Sequence, residues 1–181
     1  MAGCDITRGR RSRAARYAAI VQRAIVGFHQ DELGDWVAEL ACGHGQHVRH
    51  KPPFQLRPWV VTPEGRAAML GSELGCVRCD RFELPGGFAP YKRTPELDER
   101  TIPDGLRKDH ATKPGVWGVI HVRSGRLRYI VEPPLAGEHV LDDAHRGIVV
   151  PEVKHRIDPE GSVRFFVEFH RKPPPGDPSA T

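Results

Sequence analysis

The chain has 181 residues, 39% of them apolar and 28% charged, which is ordinary globular usage and excludes wholesale disorder and fibrous classes. The length suits one or two domains, and no apolar run approaches the ~20 residues of a membrane span. The formal net charge of +4 sits at the start of the chain: residues 1–24 hold six Arg against one Asp and leave the rest near −1, so the body lacks the basic composition that grips a phosphate backbone.

Residues 1–22, with Arg8, Arg10, Arg11, Arg13 and Arg16, read as a basic flexible arm, with a short helix across Ala14 to Ile25 as one conformation open to it. That arm is the one part suited to nucleic acid or an anionic membrane surface. Residues 23–82 make a first module. Ala24-Ile-Val-Gly-Phe28 and Trp36-Val-Ala-Glu-Leu-Ala41 flank turn residues from Asp31 to Asp35, which predicts a hairpin. The Pro-rich stretch from Lys51 to Pro58 is no central strand, because proline has no donor for the ladder. Thr62-Pro63-Glu64 is a helix opening, with Thr as N-cap, Pro at the first helical position and an acid in the first turn. The helix is expected to run from Pro63 to about Leu74 and stop at Gly75.

Residues 83–172 make a second module of short β-branched or aromatic runs bounded by Gly and Pro: Gly115 to Val122, Arg126 to Val131, Gly147 to Val150 and Val163 to Phe169. In the last, Val163, Phe165, Val167 and Phe169 are all apolar and share one face by strict period-two spacing, while Arg164, Phe166 and Glu168 share the other. Such strands without a long helix predict a β-sandwich or small barrel. Residues 173–181 read as a disordered tail.

Cys42-Gly-His44 precedes the predicted helix and Cys76-x-x-Cys79 closes it. Two thiolates of a Cys-x-x-Cys knuckle and a second short pair complete a tetrahedron around zinc, which would stabilise a module of about 60 residues that buries too little apolar surface by itself. His47 and His50 lie on the same loop as His44 and compete for the fourth position. Inert reduced thiols are one alternative. A redox pair is another, although a redox Cys-x-x-Cys normally opens a helix within a βαβ unit. The thiols suit a reducing compartment, and no secretory leader opens the chain, so a cytoplasmic protein is expected.

Ile25-Val-Gly-Phe-His-Gln-Asp31, Trp36 to Leu40, Cys42-Gly-His-Gly-Gln-His-Val-Arg-His50, Arg57-Pro-Trp59 and Cys76-x-x-Cys79 resemble a small bacterial Cys/His family of unknown function. Tyr91-Lys-Arg-Thr-Pro95, Ile102-Pro103, His110-x-Thr-Lys-x-Gly-Val-Trp-Gly118, Gly125-x-Leu-Arg-Tyr129, Val150-Pro-Glu-Val-Lys-His-Arg156 and Val163 to Phe169 resemble a cupin-like family related to the small barrel domain of bacterial tellurite-resistance methyltransferases. The second resemblance implies a double-stranded β-helix barrel with a metal in its mouth. The expected fold is therefore mainly β, a cupin-like barrel preceded by a zinc-stapled α+β module. Pro151-x-x-x-His155 matches the second cupin motif. The first motif is incomplete, since Gly118 and Val119 stand where its Glu would be.

The barrel ligand set assembled from these residues is His110, His155 and Glu168, holding Fe, Zn, Ni or Mn with open positions for water or substrate. Glu168 among Phe165, Phe166, Val167 and Phe169 needs a metal or an Arg if it turns inward, and otherwise faces solvent. Lys113 and Arg128 would favour an anionic ligand, and Trp117 would give a flat apolar wall. His121, His139, His145 and His170 read as incidental. Two functions follow: a metal-dependent cupin acting on or sensing a small anionic compound in oxyanion or nitrosative stress, or a non-catalytic ligand-binding module whose zinc unit docks to protein or, through the arm, nucleic acid. A homodimer through edge strands is expected.

Overall fold

One long strand organises the N-terminal part of the computed structural model, which describes residues 20–174. Strand β1 (Gln22–Gln30) pairs antiparallel with β2 (Trp36–Leu40) on one side and with β4 (Glu73–Gly75) on the other, while β3 (Gly45–His47) extends the sheet beyond β2. The hairpin between β1 and β2 is closed by Asp31, whose Oδ1 accepts from the backbone N–H groups of Leu33 and Asp35 at 2.9 Å each. Ile25, Val37, Ala38, Leu40, Val48 and Val60 form the core of this unit, Ile20–Gly86. The Arg66 guanidinium lies 3.6 Å above the Trp36 ring.

Two sequence expectations are corrected here. The helix does open as expected, with the Thr62 hydroxyl accepting from Gly65 N at 3.0 Å, but α1 covers only Pro63–Ala68. It buries no side chain, so packing adds nothing to carry it further, and Gly71 turns the chain at a φ of 83° into β4. The helix proposed across Ala14 to Ile25 is overturned over its last residues, since Gln22 onward belongs to β1. Its earlier part and the arm lie outside the described residues, as does most of the tail.

The second unit begins at Gly87. Its strands are β5 (Ala89–Arg93), β6 (Leu97–Asp98), β7 (Trp117–Ser124), β8 (Leu127–Val131), β9 (Gly137–Leu141), β10 (Gly147–Val149), β11 (His155–Pro159) and β12 (Arg164–Arg171); a short helix, α3 (Asp104–Arg107), precedes β7. A five-stranded sheet runs in the order β10-β7-β12-β5, with β6 also on β12, and a three-stranded sheet runs β11-β8-β9. The pairings are antiparallel throughout. This is the mainly β, cupin-like architecture expected.

Alternation along each strand sends Ile120, Val122, Phe165 and Val167 from the large sheet, and Leu127, Tyr129, Val131 and Ile157 from the small one, into a common interior. The β7–β8 turn depends on Gly125, at a φ of 80°, where a Cβ would stand 2.1 Å from Ser162 O.

Candidate metal centre and barrel cavity

The turn from β2 to β3 and the end of β4 deliver four donors to one point. Gly43, at a φ of 92°, lets Leu40 N bond His44 O at 2.9 Å, which folds Cys42 and His44 onto the same side of the turn. Cys76 N bonds Val21 O at 2.8 Å, and α2 (Val77–Asp80) then brings Cys79 round. His44 Nδ1 lies 3.3 Å from Cys76 Sγ, 3.5 Å from Cys42 Sγ and 3.8 Å from Cys79 Sγ, and all four donor atoms fall within 4.8 Å of one another. A zinc ion with bonds of about 2.3 Å to sulfur and about 2.0–2.1 Å to nitrogen sets donors about 3.5–3.8 Å apart, so the residues fit zinc in spacing, in chemistry and in their burial. Burial works against charge on His44, but the Cys42 and Cys76 sulfurs outweigh it and push the imidazole up to about 9. Hydrogen bonds from the neighbouring thiols hold Cys76 well below the usual thiol range, while those same neighbours and burial push Cys79 far above it. The negative charge thus falls on Cys76 and not on Cys79.

His44 fills the fourth position. His47 is turned to Asp31 at 2.8 Å, and His50 Nδ1 accepts from Arg57 N at 3.1 Å. The Cys-x-x-Cys does not close the predicted helix: Cys76 is the N-cap residue of α2 and follows an antiparallel strand. That context suits a metal knuckle and lacks the parallel βαβ frame of a redox pair.

In the second unit a cavity of about 400 Å³ opens between the sheets. Ile120, Val149, Ile157, Phe165, Val167 and Phe169 give it apolar walls, and Lys92, Lys113, Thr94, Thr112, His110 and His155 supply its polar groups. Each histidine is anchored to a carbonyl two residues earlier, His110 Nδ1 on Lys108 O and His155 Nδ1 on Val153 O, both at 3.0 Å. That bond fixes the Nδ1–H tautomer and leaves Nε2 as the free acceptor. Burial, and to a lesser degree the nearby His110, lower His155 to about 4, so it is neutral at physiological pH. The Thr112 hydroxyl oxygen is buried there without a hydrogen-bond partner among the described residues.

Residues 26–83 match DUF3565, a family described as a protein of unknown function, and residues 92–167 match the TehB-like domain. The N-terminal part of the chain is thus similar to DUF3565 and the C-terminal part to the TehB-like domain. Among solved structures, TehB from Haemophilus influenzae is 24% identical over 47% of this chain and 32% of its own, with a TM-score of 0.44. A protein from E. coli (strain K12) is 22% identical over 51% of this chain and 98% of its own, with a TM-score of 0.47. FeII HppE is 18% identical over 41% and 40%, with a TM-score of 0.33. This chain thus spans about a third of the TehB chain. No curated protein matches it.

Within the second unit the three expected barrel ligands do not all converge. His110 and His155 meet in the cavity, their ring centroids 4.2 Å apart. Glu168 does not join them. It alternates with the cavity-facing Val167 and Phe169, so its carboxylate lies on the opposite face of the sheet, 3.2 Å from His121 Nε2. The missing first-motif carboxylate is not replaced either, because a Cβ on Gly118 would already stand 3.0 Å from Val149. Among the described residues, Cys42, His44, Cys76 and Cys79 are the group whose donor atoms all lie within 4.8 Å of one another.

Two proposed ligand contacts are also corrected. Trp117 is wholly buried on the Glu168 side of β7, opposite His170 in register, and does not wall the cavity. Arg128 points away from the interior and pairs with Glu138 at 2.7 Å and Asp158 at 3.6 Å. Lys113 does line the cavity. Sequence reasoning missed Lys92 and Thr94, which alternation along β5 places beside Phe169 and Val167. No helix among the described residues is long and apolar enough to cross a membrane.

Proposed function

We propose that the TehB-like barrel binds a small anionic compound with an apolar body, and that zinc held by Cys42, His44, Cys76 and Cys79 staples the N-terminal module. One observation carries the ligand reading: the cavity lining holds two lysines, Lys92 and Lys113, and no Asp or Glu. An anion is therefore met by positive charge at the polar end, while Phe165, Phe169 and Ile157 take up its apolar part. The neutral His155 and the unpartnered Thr112 hydroxyl add an acceptor and a donor for a hydroxyl or protonated oxygen on the ligand. Oxyanions of the tellurite type meet the same charge requirement.

Binding without turnover is the reading favoured, since Glu168 faces away from the two imidazoles and leaves them without the carboxylate that metal-assisted chemistry called for. The zinc in the first module is structural. Its chemistry is to tie the β2–β3 turn to the β4–α2 junction through four closed ligands.

The test is thermal stability in the presence of benzoate, tellurite and the uncharged benzyl alcohol. A ligand that binds only the folded state raises the melting temperature in proportion to the logarithm of its concentration. Benzoate or tellurite should stabilise the wild type and fail to stabilise Lys92→Glu/Lys113→Glu. An equal response to benzyl alcohol, or no response to either anion, would count against the anionic ligand.

A further inference from the structure

We propose that His121, Glu168 and His170 form a second metal site, on the face of the five-stranded sheet opposite the cavity, for a divalent first-row transition ion such as zinc. β7 and β12 pair with Phe166 opposite His121 and with Glu168 opposite Val119, so period-two alternation puts His121, Glu168 and His170 on one face. Glu168 Oε2 is the common vertex, 3.2 Å from His121 Nε2 and 3.8 Å from His170 Nε2. Adjacent ligands about an ion with bonds of about 2.0–2.2 Å stand about 3–3.6 Å apart, close to both separations.

His121 Nε2 and both ring nitrogens of His170 are buried and make no hydrogen bond that meets ordinary geometry among the described residues. A buried imidazole left in that state is destabilising, and a bound cation satisfies its lone pair. The His170 ring lies against the Phe88 carbonyl, the kind of outer partner that orients a metal-bound histidine. His121 is held by stacking on Phe166, with ring centroids 4.7 Å apart and an interplanar angle of 11°.

Nor is Glu168 claimed by arginine. Arg93 and Arg123 lie over the Phe166 ring, at 3.6 and 5.0 Å, and form no ion pair with it among the described residues. Two imidazoles and one carboxylate with part of the site open to solvent suit a zinc or iron-type ion that keeps water ligands. The three donor atoms do not all lie within 4.8 Å of one another, so the His170 ring must turn toward His121 for the site to close on the ion.

The full-length protein is dialysed against zinc and its metal content measured. Wild type and His110→Ala should hold two ions per chain, and His121→Ala and Glu168→Gln should hold one, with unchanged near-UV circular dichroism. His170→Ala serves as a further variant should either fail to fold. In cobalt-loaded wild type, the second equivalent should give ligand-field absorption without a thiolate-to-metal charge-transfer band. A single ion in wild type, a second ion that survives these substitutions, or one lost in His110→Ala would each overturn the site.

Discussion

The backbones of His110 and His155 are joined by reciprocal hydrogen bonds, 2.9 Å from His110 N to His155 O and 2.8 Å from His155 N to His110 O. This isolated bridge stitches the loop before β7 onto the start of β11 and sets the two imidazoles side by side in the cavity. It explains how two histidines 45 positions apart are brought side by side.

The burial of His155 makes stability depend on pH. His155 falls to about 4 in the folded protein, from an ordinary 6.5, chiefly through burial. Between these values the unfolded chain takes up the proton and the folded one does not, so unfolding becomes easier as pH drops from about 6.5 to about 4. The full shift is worth roughly 3 kcal/mol. Urea unfolding at several pH values should show wild type losing up to that much more stability over the window than His155→Gln. Parallel pH profiles for the two proteins would refute the assignment.

Zinc removal should affect one unit. The Cys42 centre ties two distant stretches of a small module, and structural zinc contributes on the order of 10–16 kcal/mol in finger peptides. In hydrogen exchange of the whole protein, Cys79→Ser or a strong chelator should strip protection from β1, β2 and β4 while β7 and β12 keep theirs. Retained protection in the first unit would mean that its apolar core suffices without the ion.

The β7–β8 turn gives a sharper backbone test. Gly125 and Gly161 both sit at a φ of 80°, but a Cβ on Gly125 meets Ser162 O at 2.1 Å, whereas nothing stands within 4 Å of one on Gly161. Gly161→Ala should cost about 1 kcal/mol, the left-handed conformation alone. Gly125→Ala adds a clash with backbone and should cost about 3 kcal/mol or more. Denaturation midpoints measure both, and equal costs would show that the turn relaxes freely.

The Cys42, His44, Cys76 and Cys79 constellation was legible because short local spacings, C-x-H and C-x-x-C, each fix two donors on one turn. The hairpin around Asp31 was legible through its turn chemistry. The alternation in Val163 to Phe169 correctly separated two faces, but it could not say which faced the interior. Phe166 is the reason: it is as apolar as Phe165 and equally buried on the opposite side, so the side carrying Glu168 read as neither core nor surface. The length of α1 failed for a different cause, since a cap and a proline start a helix but only a packed face extends it. Lys92 and Thr94 were missed because β5 is an edge strand with no buried residue and a Pro at its second position, and its alternation is visible only once β12 is beside it.

Trp117 and Arg128 offer the final test, because they were expected to touch the ligand and the structure gives them other work. Trp117 is fully buried on the face away from the cavity, so Trp117→Ala should cost about 3–5 kcal/mol through lost packing and the cavity left behind. Trp117→Phe should leave anion binding unchanged. Arg128 pairs with two carboxylates on a partly exposed face, where solvent screens an ion pair, so Arg128→Ala should leave the denaturation midpoint almost unchanged. In benzoate titrations both Trp117→Phe and Arg128→Ala should match wild type while Lys113→Glu weakens binding at least about tenfold, the equivalent of 1.4 kcal/mol. A loss of affinity in Arg128→Ala comparable to that in Lys113→Glu would place the anion on the outer face of β8 instead of between the sheets.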